Sequence, residues 1–258
     1  MHAVNGRPSI CAKTKSWSLI FVIVGSTLAH GGELAFEVIR ELAIPTEENQ
    51  QGVATDGRHL FVQDRYQLHK YKLDGMLVKK SAKFKHHHGG ITHVKGNLYC
   101  AVSQCTKDGT HKHWIKVYDA DSLELVETHD VGVHFKVCAG GIAYRDDHFF
   151  VPESFFDKDH VDRVVVFDSD FRYVRTHETS FKCPYGIQGM EYLPETDQFQ
   201  IHSHGPEFYR INSQFDNDSI VSGKAPFKLQ DVVRLNVNIL LVNYRKRQKV
   251  LLIRVVQK

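Results

Sequence analysis

Residues 51–64 read QGVATDGRHLFVQD, and the same arrangement returns four more times along the chain. Each copy has a small or turn-forming residue, a short apolar run, a polar turn and a second apolar run. The later copies begin at positions 89, 140, 188 and 230 and read GGITHVKGNLYCAVS, GGIAYRDDHFFVPES, QGMEYLPETDQFQIHS and QDVVRLNVNILLVNY. Two short apolar runs separated by a turn predict a pair of antiparallel strands in each copy.

The copies are spaced regularly enough to define a repeat. Their second positions lie 38 to 51 residues apart and are Gly52, Gly90, Gly141, Gly189 and Asp231. Such spacings are typical of propellers in which each unit forms one four-stranded blade. The predicted third strands are 67–72, 114–119, 163–168 and 207–211, and the predicted fourth strands are 77–84, 123–129 and 173–178. The chain is therefore predicted to be an all-β, five-bladed β-propeller.

The fifth repeat ends one strand short after residues 250–256. Residues 35–44, AFEVIRELAI, precede the first repeat and supply an apolar strand with no other partner. An N-terminal strand that completes the last blade would remove exposed sheet edges, which otherwise invite aggregation. The structural alternative is four blades and a separate pair of strands.

The first 29 residues have the pattern of a secretory signal peptide. Three basic residues precede an apolar run at 17–28, and small residues at Thr27 and Ala29 precede His30. The run is short for a membrane span, which takes about 20 residues, although an uncleaved anchor is the alternative. We therefore predict a signal peptide at 1–29, a single propeller domain at 30–258, a secreted or periplasmic location and no stable membrane span after cleavage.

The signal peptide also accounts for the charge of the chain. The sequence has 33 Lys and Arg against 30 Asp and Glu, and residues 1–29 carry three basic residues and no acidic one. The remaining chain is formally neutral, so net charge gives no argument for a nucleic-acid partner.

The loops before the first strand and after the second strand of each blade lie on one face of a propeller, around its mouth. Polar residues are frequent at these positions, which predicts a pocket for a small polar ligand. The predicted ligand-binding residues are Gln51, Asp64, Gln104, Tyr185, Gln188, Gln230, Asn243 and Arg245. The glycine pairs at 89–90 and 140–141 are attributed to close approach of strands at the centre.

Histidine is unusually frequent, with 17 in the chain, and four are candidate metal ligands. His202 and His204 are two apart on a strand and so share one face, and His86 and His88 precede another first strand. With a carboxylate such as Glu153 they would form an N/O shell suited to a divalent cation, namely Zn²⁺, Mn²⁺, Fe²⁺ or Ca²⁺. The alternatives are a polar pocket without metal and a mouth without a small ligand.

Four cysteines follow the signal peptide, namely Cys100, Cys105, Cys138 and Cys183. An even number in an oxidising compartment permits disulfides, with three possible connectivities. Cys138 and Cys183 both precede first strands, so a disulfide bracing two blades is favoured over a catalytic thiol.

Several segments resemble a largely uncharacterised family of exported bacterial propellers. They are QQGVATDGRHLFV, HHHGGI, LYCAVSQ, IKVYDADSLELVETHDVG and HGPEFYRI. The resemblance places His86 and His204 on histidines of the family's motifs, whereas His88 stands where Asn is expected and Val102 where another histidine is expected. More distantly, the chain is similar to gluconolactonase-like and glutaminyl-cyclase-like propellers, which implies a metal at the mouth.

The favoured hypothesis is an extracytoplasmic pocket protein that acts as a metal-dependent hydrolase or lyase on a small polar substrate, such as a sugar derivative or lactone. Glu153 would be the catalytic acid or base in this hypothesis. The alternative is a non-catalytic scaffold that uses the same face to bind a protein partner or a glycan.

Overall fold

The computed structural model describes residues 33–106, 110–155, 160–244 and 248–257. The predicted signal peptide and Arg245 lie outside these ranges. The described chain is nearly all-β, and its helices are two single 3-10 turns at Gly132–His134 and Asn217–Ser219. Within the same ranges, no helix has the length and apolar character needed to cross a bilayer.

The described residues form twenty-one strands, and the repeat predicted most of their positions. They are β1 Glu33–Ala43, β2 Gln50–Thr55, β3 His59–Asp64, β4 Leu68–Lys72, β5 Leu77–Lys80, β6 His87–Val94, β7 Asn97–Gln104, β8 Lys112–Asp119, β9 Leu125–Asp130, β10 Cys138–Ala139, β11 Ala143–Arg145, β12 His148–Ser154, β13 Arg163–Asp168, β14 Tyr173–Glu178, β15 Gly189–Leu193, β16 Gln198–His202, β17 Glu207–Asn212, β18 Val221–Lys224, β19 Val232–Asn236, β20 Ile239–Tyr244 and β21 Lys249–Gln257.

The strands form four hydrogen-bonded sheets. The first sheet is β2-β3-β4-β5 and the second is β6-β7-β8-β9, each a simple antiparallel meander. In the third sheet, β10 and β11 both pair with β12, which continues to β13 and β14. The fourth sheet has eight strands in the order β15-β16-β17-β18-β1-β21-β20-β19.

The N-terminal strand pairs with the last strand, as the sequence predicted. β1 runs antiparallel to β21 from Leu34, opposite Gln257, to Ala43, opposite Lys249. On its other edge β1 meets β18 through only two parallel residue pairs, starting at Glu33 and Ser222. This short parallel junction merges what the repeat predicted as two separate four-stranded units, β15–β18 and β19–β21 with β1.

The apolar core lies between neighbouring sheets. Ile115 of the second sheet packs in one cluster with Val165 of the third. Val62 of the first sheet packs in another with Leu241 and Val250 from the end of the chain. Because the first sheet also packs on the last strands, the sheets close around an axis.

The first strands of the sheets approach one another at glycines. A Cβ built on Gly90 would lie 2.6 Å from the Cα of Gly141, and one on Gly141 would lie 3.0 Å from the Gln188 carbonyl oxygen. These positions therefore exclude larger residues, in agreement with the role that the sequence assigned to the glycine pairs.

The disulfide expectation was wrong in its connectivity. Cys105, just after β7, is bonded to Cys138 at the start of β10, and their Cα atoms are 6.5 Å apart. Cys183 is a buried free thiol. The reason is that the end of β7 lies beside β10, where Ser103 Oγ accepts a hydrogen bond from Ala139 N at 3.0 Å.

Candidate functional site

Three glutamines meet where the first strands begin, and we call Gln51, Gln188 and Gln230 the amide cluster. Gln51 lies in β2, while Gln188 and Gln230 stand just before β15 and β19. The Nε2 of Gln230 lies 3.5 Å from Gln51 Oε1 and 3.4 Å from Gln188 Oε1. The three residues are only 2%, 8% and 1% exposed. The structure thus brings together three of the predicted ligand-binding residues.

The amide cluster is incompletely satisfied. The outer amides donate to nearby backbone carbonyls, Gln51 to Asn49 at 3.1 Å and Gln188 to Tyr185 at 2.7 Å. Gln230 Oε1 is buried and has no hydrogen-bond partner in the part of the chain that the structure describes. An amide oxygen buried without a donor costs about 1–3 kcal/mol, so a donor brought by a ligand would be stabilising there.

Tyr185 lies on the rim beside the cluster. It is 40% exposed, and its backbone has a φ of +66°, a conformation that an aromatic residue adopts only under constraint. The His204 ring lies edge-on to it at a centroid distance of 6.0 Å. An exposed aromatic ring next to buried amides is a suitable platform for the apolar face of a sugar or for a peptide.

The loop that follows β16 adjoins the amide cluster and leads directly to a carboxylate at the start of β17. Leu229 N donates to Gly205 O at 3.1 Å, which holds this loop against the residue that precedes Gln230. Glu207, at the start of β17, has its Oε2 packed against Gly205. That oxygen is buried and makes no hydrogen bond to any described residue. One oxygen of the Glu207 carboxylate is therefore left without a hydrogen bond among the described residues.

Asp231 follows Gln230 and lies where the first and last units meet. Its Oδ2 accepts Val53 N at 3.0 Å, and its Oδ1 accepts Val232 N at 2.9 Å. Burial raises the pKa of Asp231 well above its usual range, although the backbone donors oppose that effect. The second position of the repeat is glycine in four copies and Asp231 in the fifth. The fifth copy thus places an ionisable group where the last unit meets the first.

A second carboxyl with a raised pKa belongs to Glu191, a half-buried residue on the adjacent first strand. Glu191 Oε1 in β15 accepts Arg234 N at 3.1 Å. Burial raises the pKa of Glu191 to about 8, in spite of the hydrogen bond and the charge of Arg234. The charge of Glu191 also helps to raise the pKa of Asp231, because like charges repel.

Two other predicted mouth residues are engaged in internal contacts. Burial raises the pKa of Asp64, but hydrogen bonds from the His69 ring at 3.0 Å and from Tyr66 N leave it below its ordinary value. Asn243 is buried and accepts Asp231 N through Oδ1 at 2.6 Å. Gln104 is exposed at the end of β7, apart from the contacts of the cluster.

Glu153, the predicted acid or base, is buried with both oxygens in use. Oε1 accepts Lys136 N and accepts Val137 N at 2.8 Å. Oε2 lies 2.9 Å from Arg163 Nη1. These contacts hold the loop before β10 and neutralise an arginine, which is a structural task. The catalytic role assigned to Glu153 stays a prediction, and the contacts do not support it.

The predicted histidine ligands do not converge. His88 donates through Nδ1 to His86 O at 2.9 Å, and its Nε2 lies 2.8 Å from Tyr118 Oη. His202 lies on the fourth sheet, whereas His88 lies on the second, and the His202 ring packs near Phe208. Burial lowers the pKa of His88 and of His202 to about 3.

Within the described ranges, no three His, Cys, Asp or Glu side chains are arranged to hold a metal ion. Because His88 uses both ring nitrogens, the set His86, His88, His202 and His204 does not fit a shared ion. We therefore derive no chemistry from a metal.

Two residues of this site were missed at the sequence level. Asp231 was visible as the only non-glycine among five aligned positions, a departure that marks a special contact. The sequence marks Glu207 only as the start of a strand, because nothing in it shows that one carboxylate oxygen lacks a hydrogen bond to the described residues.

Comparisons with known proteins define the fold only. No known family's sequence profile matches the chain, and no curated sequence matches it. Glutaminyl cyclase from Myxococcus xanthus has a similar structure, with a TM-score of 0.68 and 12% identity over 88% of this chain and 99% of that chain. The family of exported propellers inferred from short motifs thus receives no support from sequence.

Two further structures are similar. The soluble aldose sugar dehydrogenase from Escherichia coli gives a TM-score of 0.55 at 8% identity, covering 87% of this chain and 100% of that one. A protein of unknown function from Bacteroides thetaiotaomicron gives 0.56 at 11% identity, covering 88% and 73%. The chain thus has a propeller-like fold, and the resemblance to glutaminyl-cyclase-like propellers is confirmed at the level of fold.

Proposed function

We propose that this chain is an exported, five-bladed propeller that binds a small polar ligand at the amide cluster. In this interpretation β15–β18 and β19–β21 with β1 are separate blades that touch at the β1–β18 junction. The single observation that carries the ligand proposal is Gln230 Oε1, a buried acceptor beside two other glutamine amides that receives no hydrogen bond from any described residue. The ligand would supply an N–H or O–H group to that oxygen and stack on Tyr185.

An enzymatic function is favoured over simple binding by Glu207. Glu207 directly follows the loop that the Leu229–Gly205 hydrogen bond holds beside the cluster. A carboxylate with one buried oxygen that lacks a hydrogen bond to the described residues is suited to move a proton during a reaction. We therefore propose a hydrolase, lyase or cyclase reaction on a sugar derivative, lactone or glutaminyl compound, with Glu207 rather than Glu153 as acid or base. The predicted divalent metal is not part of this proposal, and elemental analysis of untagged protein checks that prediction separately.

The test uses three compounds suggested by the hypothesis and by the names of the similar structures: D-glucose, gluconolactone and glutaminyl-alanine amide. Binding is measured by calorimetry and turnover by mass spectrometry of the products. Gln230→Leu removes the unpaired acceptor and should weaken binding about tenfold, the value of one neutral hydrogen bond. Gln104→Leu is the matched control, because it removes an exposed glutamine outside the cluster.

Glu207→Gln separates binding from catalysis. Binding should be retained within a few-fold, whereas turnover should fall by about 10²- to 10⁴-fold, as expected for loss of a general acid or base. If a bound compound is not turned over by the wild type, the enzyme proposal fails and the scaffold alternative is favoured. If Gln104→Leu weakens binding as much as Gln230→Leu, the site proposal fails.

An extracytoplasmic location is part of the proposal. It is supported by the pattern of residues 1–29 and by the Cys105–Cys138 disulfide, since disulfides persist mainly in oxidising compartments. The intact mass of the protein from its native host tests this. A chain beginning at His30 with one disulfide is expected, and a chain that retains residues 1–29 would contradict it.

A further inference from the structure

A cleft opens on the face opposite the amide cluster, where the first and second strands of two neighbouring units turn. The empty space between its walls, including the part that is open to solvent, has a volume of about 320 Å³. Its lining residues are Leu193, Glu195, Thr196, Arg210, Arg234, Asn236, Asn238 and Leu240. The two leucines are buried at its base, and every other lining side chain is polar or charged.

Arg210 enters this cleft without a counter-ion. It lies in β17, and its Nε donates to Gln200 Oε1 at 2.9 Å. Across the described ranges, no carboxylate forms an ion pair with Arg210, and no other acceptor meets its guanidinium. Burial lowers the pKa of Arg210, which is the effect of a positive charge that is partly removed from water and not neutralised.

The other charges of the cleft cancel. Arg234 binds Glu195 in a two-pronged ion pair, with Nε 3.0 Å from Oε2 and Nη2 in contact with Oε1. The cleft therefore carries the net positive charge of Arg210 alone. Thr196, Asn236 and Asn238 make no side-chain hydrogen bond to other described residues and are available as neutral donors.

We propose that this cleft is a second ligand site, which binds a small oxyanion against the Arg210 guanidinium. A guanidinium offers parallel N–H donors that match two oxygens of a carboxylate or a phosphate. The hydroxyl and amide side chains around it would complete the shell. Because a single guanidinium supplies the net charge, the ligand would be a small anion or the anionic end of a larger molecule.

The test titrates the protein that remains after the predicted cleavage, residues 30–258, with inorganic phosphate and, separately, with acetate. A titration with sodium chloride at equal ionic strength is the reference for each. Calorimetry measures affinity. Phosphate or acetate should bind more tightly than chloride, and the preference between them identifies the source of the oxyanion. Arg210→Gln should weaken binding by about ten- to a hundredfold, the value of charge-assisted hydrogen bonds. Arg172→Gln is the matched control, because Arg172 is an exposed arginine paired with Asp170.

Hydrogen exchange of the wild type gives a second measurement that does not depend on the folding of a variant. Saturating phosphate or acetate should protect amides of β17 and of the β19–β20 turn. The proposal is overturned if neither anion binds better than chloride, if Arg172→Gln weakens binding as much as Arg210→Gln, or if protection falls elsewhere. Because the cleft and the amide cluster are on opposite faces, failure here leaves the proposed function intact.

Discussion

Replacing Glu191 with Gln should remove a pH-dependent penalty on stability. Glu191 is a half-buried residue, and the burial of its carboxyl raises its pKa from 4.5 to about 8 in the folded protein. Below pH 4.5 it is protonated in both states and has no effect. Between pH 4.5 and 8 the unfolded chain ionises it while the folded chain keeps the proton, so stability falls as pH rises. Glutamine keeps the acceptor for Arg234 N and cannot ionise.

The size of the effect follows from the linkage between proton binding and folding. Each pH unit in this window costs up to about 1.4 kcal/mol, which sums to at most about 5 kcal/mol by pH 8. Partial contact of Glu191 with solvent reduces this to a few kcal/mol. Glu191→Gln should therefore differ from the wild type by less than about 1 kcal/mol near pH 5 and exceed its free energy of unfolding by a few kcal/mol at pH 8 to 9.

Urea unfolding followed by Trp114 fluorescence, from pH 5 to pH 9, measures this difference. Glu195→Gln is the matched control, because the hydrogen bond from Arg234 lowers the pKa of the Glu195 carboxyl. The Glu195 carboxylate therefore stabilises the folded protein at neutral pH, and this contribution is lost as pH falls. Glu195→Gln should be less stable than the wild type at neutral pH, and the difference should shrink as pH falls, which is the opposite of the trend for Glu191→Gln. A Glu191→Gln curve parallel to that of the wild type at every pH would refute the reasoning.

Three further variants test the structural contacts by urea unfolding. Glu153→Ala should lose about 3–5 kcal/mol, since it leaves Arg163 unpaired in a largely buried place, and an unchanged stability would argue against the structural role. Cys138→Ser should lose about 2–4 kcal/mol through loss of the disulfide, more than Cys183→Ser, and equal losses would argue against the Cys105 pairing. Gly140→Ala should lose about 1–3 kcal/mol of stability, because the new Cβ would overlap the Ile187 carbonyl oxygen. At Gly96 a new Cβ would meet no atom, so Gly96→Ala should lose only the free energy that a left-handed backbone costs a residue other than glycine.

The strands could be predicted because their determinants are local. Alternating apolar residues and turn sequences set β13 at Arg163–Asp168 and β14 at Tyr173–Glu178, which are the predicted bounds. The partner of the N-terminal strand followed from the count of strands per repeat. β18 was missed because Val221–Lys224 is short and contains Gly223, which weakens the strand pattern.

The site was predicted only in part, because its contacts depend on how the units are placed relative to one another. The repeat register selected Gln51, Gln188 and Gln230, since equivalent positions of a propeller meet at one face. The same register also selected Glu153, whose partners Lys136 and Val137 lie in a loop that the repeat does not cover. Arg210 has no repeat signal, and its lack of a counter-ion follows only from the packing of neighbouring units.

The central claim is that a ligand binds at the amide cluster, and side-chain amide resonances test it most directly. Isotope-labelled protein is titrated with D-glucose, gluconolactone and glutaminyl-alanine amide, with the amides assigned by substitution of Gln51, Gln188 and Gln230. At least one compound should shift these three amides selectively and should lose that effect in Gln230→Leu. The claim is contradicted if no compound shifts these three amide resonances. It is also contradicted if the compounds that bind shift only resonances of other residues and do so equally in the wild type and in Gln230→Leu.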